Sequence, residues 1–128
     1  MASRTANFCI DAHDPRAQAE WWEQVLDDFV LDTSEDDPDE VGLRGLNGRW
    51  LLFLRVPEAK TVKNRMHMCL CPVDRSRDDE IERLLGLGAG LVDDRRKGER
   101  GWAVLADPEG NEFCVLATRA DKAGIAIA

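Results

Sequence analysis

The chain has 128 residues and a mass of 14.4 kDa, with 44% hydrophobic and 33% charged residues, which is typical of one soluble globular domain. Its net charge of −8 and isoelectric point of about 4.7 disfavour binding to nucleic-acid phosphates. No apolar run approaches the roughly 18 residues that a membrane span requires, and the N-terminal segment MASRTANF lacks the apolar core of a signal peptide. We therefore expect a cytoplasmic protein with neither nucleic acid nor membrane as a partner.

The first element is a predicted strand over 5–12, where apolar and polar residues alternate. Phe8 and Ile10 are expected to face a helix, and Asn7 and Cys9 to face the opposite side.

A helix is predicted over 15–27. Asp14 is a suitable N-cap and Pro15 a suitable first helical residue. Trp21 is expected in the core, and Trp22 is expected either to be partly exposed or to lie at a subunit contact. The apolar stripe at helical spacing consists of Ala17, Trp21, Val25 and Phe29.

The remainder of the first half is predicted to form three strands. One covers 28–33 and leads into an exposed acidic loop, 32–40, whose carboxylates lack the spacing of a calcium loop. The other two form a hairpin over 41–56. Its turn, Asn47-Gly48, suits the positive φ angles of a type I′ turn.

The second half predicts the same order of elements. A strand is followed by a helix that is capped by Asp74, carries Ile81, Leu84 and Leu85 on its apolar face, and ends in GLGAG. A type I turn is predicted at DPEG, with Pro108 at its second position. The four predicted strands are 66–73, 91–96, 101–106 and 111–117.

The two halves repeat each other at an offset of about 60 residues: NFCIDAHDP aligns with HMCLCPVDR, so that Asn7 corresponds to His67 and Cys9 to Cys69. Such a repeat is the signature of duplicated structural units. The residues of the first strands that are expected to face a shared cleft are Asn7, Cys9, His67, Cys69 and Cys71.

The repeat predicts an α+β fold in which two βαβββ modules form paired half-barrels around a cleft. The modules are expected at about 5–57 and 65–118 of a single domain over 1–128, and the tail 119–128 has no predicted role. The modules are expected to pair either within one chain or between chains.

Four cysteines raise the question of a disulfide or a zinc site: Cys9, Cys69, Cys71 and Cys114. The CLC spacing is too tight for a zinc-binding pair, and His13 and His67 are far apart in sequence. We therefore expect reduced thiols that are buried like small apolar residues.

A strand that leads into Asp-Pro at a helix start, together with DPEGNEFCVL in the C-terminal hairpin, resembles the vicinal oxygen chelate superfamily. The likeness is greatest to its glyoxalase-like, bleomycin-resistance-type domains and covers about 5–118. It implies the glyoxalase/dihydroxybiphenyl-dioxygenase-like fold. The enzymes of this superfamily hold a divalent metal through one side chain from the first and last strand of each module, and the metal acts as a Lewis acid on vicinal oxygens of the substrate.

In this chain the four metal positions implied by the resemblance fall on Asn7, Leu52, His67 and Cys114. Leu52 has no donor atom and asparagine is a weak neutral ligand, so His67 and Cys114 are the candidate metal ligands. Asp11 and Glu112 share the strand parity of these positions and are candidate substitutes.

Candidate catalytic residues are His67 and Glu112, whose side chains transfer protons. Cys114 is either a small buried residue, a soft zinc ligand or a nucleophile paired with His67. His13 is expected to be a loop histidine. The residues predicted to line a ligand cleft, with the tryptophans as either core residues or an aromatic wall, are Asn7, Cys9, Asp11, Trp50, Leu52, Cys69 and Trp102.

Three classes of function are consistent with the sequence. The favoured class is a protein that binds a small organic ligand, lacks the usual metal site and any other cofactor, and forms a homodimer. The alternative is a metal-dependent lyase, isomerase or dioxygenase in which His67 binds zinc, nickel, manganese or iron. A scaffold or regulatory domain that has lost the pocket is the third class.

Overall fold

The computed structural model describes residues 2–34 and 36–125. The chain forms two compact units that divide between Ala59 and Lys60, here called module one and module two. One residue of the predicted acidic loop, Glu35, and the last three residues of the predicted tail, 126–128, lie outside the described residues. Among the helices that are described, none is long and apolar enough to cross a membrane.

Module one is a four-stranded sheet with one helix. The strand order is β1-β4-β3-β2, and β1 runs parallel to β4 while the other neighbours are antiparallel. Its elements are β1 (Phe8–Ala12), α1 (Pro15–Val25), β2 (Phe29–Leu31), β3 (Glu40–Gly45) and β4 (Trp50–Arg55).

Module two has the same topology. The strand order is β5-β8-β7-β6, with β5 parallel to β8 and the remaining pairs antiparallel. The predicted α+β fold of two βαβββ modules is therefore confirmed, and each sheet is open. The elements of module two are β5 (Cys69–Leu70), α2 (Arg77–Gly86), β6 (Gly90–Asp94), β7 (Ala103–Ala106) and β8 (Glu112–Val115).

The cap predicted for α1 is confirmed, because the Asp14 carboxylate accepts a hydrogen bond of 3.1 Å from the backbone N–H of Ala17. The predicted buried face is wrong in two places: Ala17 is exposed, and Trp22 is buried together with Trp21. The two indole rings meet edge to face, with centroids 5.1 Å apart. Burial of the large Trp22 ring removes far more apolar surface from water than burial of Ala17 would, which sets the rotation of the helix.

The cap predicted for α2 is wrong. The helix begins at Arg77, and its N-cap is Ser76, whose hydroxyl accepts a 3.1 Å hydrogen bond from the N–H of Asp79. Asp74 lies two residues further out, where its carboxylate binds the guanidinium of Arg75. Asp14 is followed by a proline that favours the first helical position, and Asp74 has no such neighbour.

Both predicted turns are confirmed. Asn47 and Gly48 have φ angles of 58° and 75°, the positive values that a type I′ turn requires. In the DPEG turn the N–H of Gly110 donates to the Asp107 carbonyl at 2.9 Å. The Asp107 carboxylate also accepts from the N–H groups of Glu109 and Asn111, each at 2.9 Å.

The first strands of the modules differ from prediction. Phe8 is 57% exposed instead of facing the helix, because α1 packs mainly over β3 and β4 in the middle of the sheet. The strand predicted over 66–73 is reduced to β5, and its pairing ends where Pro72 has no N–H to donate. The carbonyl of Pro72 instead accepts from the N–H of Ala120 at 2.9 Å, so the start of the tail contacts module two.

Because Asp14 and Ser76 cap helices and Asp74 does not, alanine substitutions at these three positions should differ in their effect on the free energy of unfolding. Ser76→Ala and Asp14→Ala are each expected to lower the free energy of unfolding by about 1 kcal/mol, because each leaves a helix N–H without its acceptor. Asp74→Ala, the control, is expected to have a smaller effect, since Asp74 is exposed and caps no helix. Urea unfolding followed by circular dichroism measures all three, and an equal loss for Asp74→Ala and Ser76→Ala would contradict the assignment of the caps.

Candidate binding site in module two

The register of β5 and β8 brings two cysteines together. Cys69 lies directly opposite Cys114 in this parallel pair, so both side chains are on one face of the sheet. His67 precedes Cys69 by two residues and has the same parity. The ligand atoms of the three side chains all lie within 4.8 Å of one another. We call His67, Cys69 and Cys114 the thiol–imidazole cluster.

Burial within this cluster is uneven. Cys114 is buried, whereas His67 and Cys69 are exposed. The expectation of buried thiols is therefore confirmed for Cys114 and wrong for Cys69 and Cys9, while Cys71 is half-buried. The exposed side chains lie at or near the start of β5, a two-residue strand, where less of the module covers them.

The pKa of the Cys114 thiol is raised by burial, and also by the charge of Cys69 and a hydrogen bond with it. Lys63 partly opposes this effect because its positive charge favours a thiolate. Burial and the charge of Cys69 likewise raise the pKa of Cys71. Both thiols are therefore protonated at neutral pH, which makes them weak nucleophiles.

Glu112 is held by the segment that precedes β5. Its buried carboxylate lies 2.7 Å from the ammonium of Lys60, and its N–H donates to the Asn64 side-chain oxygen at 2.9 Å. Burial is the largest single influence and raises the pKa of Glu112, but the hydrogen bond and charge of Lys60, together with hydrogen bonds from the backbone of Glu112 and Asn64, outweigh it, so the pKa is lowered. Glu112 is thus an ion-paired carboxylate at neutral pH, and its predicted catalytic role, like that of His67, stays a prediction.

The thiol–imidazole cluster lines a cavity of about 440 Å³. The apolar residues that line it are Trp102, Val104 and Leu116, and Trp102 is 44% exposed. Arg95, which donates to Asp93 at 2.8 Å, lies at the cavity as well. The other polar residues that line it are Lys63, His67, Cys69, Glu112 and Cys114.

The equivalent place in module one has different chemistry. Cys9 lies opposite Leu52 as Cys69 lies opposite Cys114, and the Cys9 thiol donates to the Asn7 side-chain oxygen at 3.3 Å. Leu52 is half-buried and has no donor atom. Asp11, a candidate substitute ligand, is exposed on β1. Among the residues that the structure describes, the thiol–imidazole cluster is the one group of three potential ligands this close together.

Two other residues singled out by sequence lie in module one. The Trp50 ring covers Gly42 on the neighbouring strand, where an added Cβ atom would lie 3.3 Å from it. His13 is an exposed loop histidine, as predicted, and its Nε2 lies 3.1 Å from the carbonyl of Pro57. A groove of about 490 Å³ beside His13 is crossed by Arg55, whose guanidinium is already bound to Asp39 and the His13 carbonyl, each at 2.7 Å.

Sequence reasoning missed Cys69 as a member of the metal-binding candidates. In linear spacing, the CLC of Cys69 and Cys71 is too tight for a zinc-binding pair. The i, i+2 spacing of His67 and Cys69 carried the missing signal, because residues two apart on a strand share a face. Cys114, the partner of Cys69 on β8, can be identified only from the register between the two strands.

The sequence profile described as "Glyoxalase-like domain" matches residues 7–116, which is most of the chain. The chain belongs to this family. The resemblance to the vicinal oxygen chelate superfamily is thereby confirmed. No curated protein sequence matches the chain.

Solved structures of this family's fold are similar over nearly the full length. The oxidase ChaP-H2 shares 25% identity at a TM-score of 0.61, with 93% of this chain and 95% of that chain covered. A glyoxalase/bleomycin resistance protein/dioxygenase family enzyme from Burkholderia phytofirmans shares 21% identity at a TM-score of 0.64, covering 86% and 94%. A mutant of the fosfomycin resistance protein FosX from Listeria monocytogenes, complexed with Mn(II) and a dihydroxypropylphosphonic acid, shares 15% identity at a TM-score of 0.67, covering 95% of both chains. The likeness to the last two structures, at 21% and 15% identity, establishes the fold alone.

The four thiols are expected to react with iodoacetamide in a defined order. Cys9 and Cys69 are exposed and should be modified first, Cys71 more slowly, and Cys114 last, because it is buried and its pKa is raised. Mass spectrometry of peptides from the native protein at successive times measures the order. Guanidinium-unfolded protein is the control in which the differences should disappear, and early modification of Cys114 in the native protein would contradict the structure.

Removal of Lys60 is expected to destabilise module two. Lys60→Met leaves the buried Glu112 carboxylate without its partner, which should cost about 1–3 kcal/mol in the free energy of unfolding. The double variant Lys60→Met/Glu112→Gln should recover part of this loss, because it removes the unpaired charge. Urea unfolding of the two single variants and the double variant measures the coupling, and additive losses would show that the pair does not interact.

Proposed function

We propose that this protein binds a small organic molecule in the cavity of module two and does so without the metal site usual for its superfamily. The cavity itself is the observation that carries the proposal. Its volume of about 440 Å³ falls in the range of small-molecule sites, roughly 300–1,000 Å³. Its lining also combines three apolar residues, one of them a tryptophan, with polar and charged groups that could orient a ligand.

The lining of the cavity favours a flat, largely apolar ligand with one anionic or hydrogen-bonding group. Trp102 is 44% exposed and lines the cavity together with Val104, and aromatic side chains bind flat molecules through their large contact area. Lys63 supplies a positive charge at the same cavity. The neighbouring charges of Arg95 and Glu112 are already engaged by Asp93 and Lys60, respectively.

The residues of this chain do not fit the hard divalent ion that is bound in the FosX complex. Manganese prefers carboxylate, carbonyl and water oxygens, whereas two of the four positions implied by the superfamily hold a leucine and a cysteine. Leu52 offers no donor, and Cys114 offers a buried thiol. A metal-dependent lyase, isomerase or dioxygenase with His67 as a ligand is therefore the weaker hypothesis, and no catalytic step is derived from it.

A homodimer is part of the same proposal and rests on the resemblance to glyoxalase-like proteins. Light scattering coupled to size exclusion should give a mass twice the 14.4 kDa of the chain. A mass equal to that of one chain at all concentrations would remove this part of the proposal.

Binding of the fluorescent probe anilinonaphthalene sulfonate, a flat apolar anion, tests the proposed function. Trp102→Ala should weaken binding about tenfold or more, because it removes the aromatic wall. Leu91→Ala is the matched control: Leu91 is also an exposed apolar residue of module two and does not line the cavity. Equal affinities of the two variants for the probe would overturn the proposed site, and circular dichroism verifies that both are folded.

A further inference from the structure

The thiol–imidazole cluster has donor atoms of a kind that hard metal ions avoid. Two thiols and one imidazole, from Cys69, Cys114 and His67, all lie within 4.8 Å of one another. Thiolate and imidazole ligands select softer ions such as zinc, while carboxylates and water suit magnesium or manganese. The cluster lies wholly within module two, and it includes Cys69, which is not among the four positions implied by the superfamily.

We propose that module two holds one zinc ion through His67 Nδ1 or Nε2, Cys69 Sγ and Cys114 Sγ, with a fourth position open to water or a ligand. Three protein ligands with one open position are the usual arrangement of zinc sites that take an exchangeable fourth ligand. The inference goes beyond the proposed function and does not depend on it.

The geometry is within reach of zinc coordination. Around tetrahedral zinc, with Zn–S of about 2.3 Å and Zn–N of about 2.0–2.1 Å, the ligand atoms lie roughly 3.6–3.8 Å apart. The largest separation in the cluster, 4.8 Å at most, would have to shorten by about 1 Å. His67 and Cys69 are exposed and can move by this amount through side-chain rotation, while the buried Cys114 keeps its place on β8.

The charges of the cluster also suit zinc. Two thiolates neutralise the two positive charges of the ion, so no net charge remains beside the buried end of the site. Glu112 shares the face of Cys114, but its carboxylate is held by Lys60 at 2.7 Å, which leaves the fourth position for an exogenous ligand.

Module one provides an internal comparison, because its residues at the same places cannot form this site. Asn7 replaces the histidine, and Leu52 replaces the buried cysteine opposite Cys9. The stoichiometry expected is therefore one ion per chain. Cys9→Ser is a matched control, since Cys9 is an exposed thiol at the strand position that corresponds to Cys69.

The experiment is a titration of the reduced full-length chain, without a histidine tag, with Cd²⁺ as a spectroscopic probe and then with Zn²⁺ in competition. The expected result is one equivalent of Cd²⁺ with an ultraviolet charge-transfer band from sulfur to metal, displaced by Zn²⁺ and not by Mn²⁺. Cys69→Ser should weaken binding by about a hundredfold or more, since loss of a direct ligand should exceed the 10–100-fold cost of losing an outer-shell partner. Cys9→Ser should bind like the wild type.

Three results would overturn the proposal: no charge-transfer band in the wild type, unchanged affinity in Cys69→Ser, or displacement of Cd²⁺ by Mn²⁺. Cys114→Ser and His67→Ala extend the test, and because Cys69 is exposed, the Cys69→Ser result stands even if the buried Cys114 variant fails to fold. Cys71→Ser should bind Cd²⁺ with the affinity of the wild type. This result would show that the half-buried Cys71 is not a ligand of the cluster. The titration reports sulfur–metal bonds and the fluorescent probe reports occupation of the cavity, so failure of one proposal is distinguishable from failure of the other.

Discussion

The parallel pairing of the first and last strands of each module is the constraint on which the rest of the structure depends. Two parallel strands need a long crossover between them, and here the crossover consists of a helix and two strands. The pairing places β1 beside β4 and β5 beside β8. Residues far apart in sequence, such as Cys69 and Cys114, therefore become direct neighbours on one face of a sheet.

The two modules show how one backbone arrangement supports different chemistry. The register that sets Cys9 opposite Leu52 in module one sets Cys69 opposite Cys114 in module two. In module one the thiol is satisfied locally by the Asn7 side chain, whereas in module two it meets a second thiol and an imidazole. Two modules of the same topology thus differ in chemistry, and three of the four thiols lie in module two.

The segment that precedes β5 contributes to this site as much as the strands do. Asn64 bridges the N–H of Glu112 and the side-chain oxygen of Asn111, at 2.9 and 3.1 Å, and Lys60 pairs with the buried Glu112 carboxylate. These contacts fasten the segment to β8. The same segment carries Lys63 and His67 to the cavity, so the polar side of the cavity depends on hydrogen bonds that the buried start of β8 provides.

The sequence by itself determined the order of elements, the duplication, the Asp14 cap and the Asn47-Gly48 turn, because these depend on local periodicity and on residues that favour particular backbone angles. The resemblance to the superfamily also predicted that His67 and Cys114 occupy two of the four implied metal positions. Only the tertiary structure decided that Ser76 caps α2, that Trp22 is buried, and that Lys60 neutralises Glu112. Above all it decided that Cys69 joins His67 and Cys114, since the register between strands more than 40 residues apart is set by packing of the whole module and not by any local pattern.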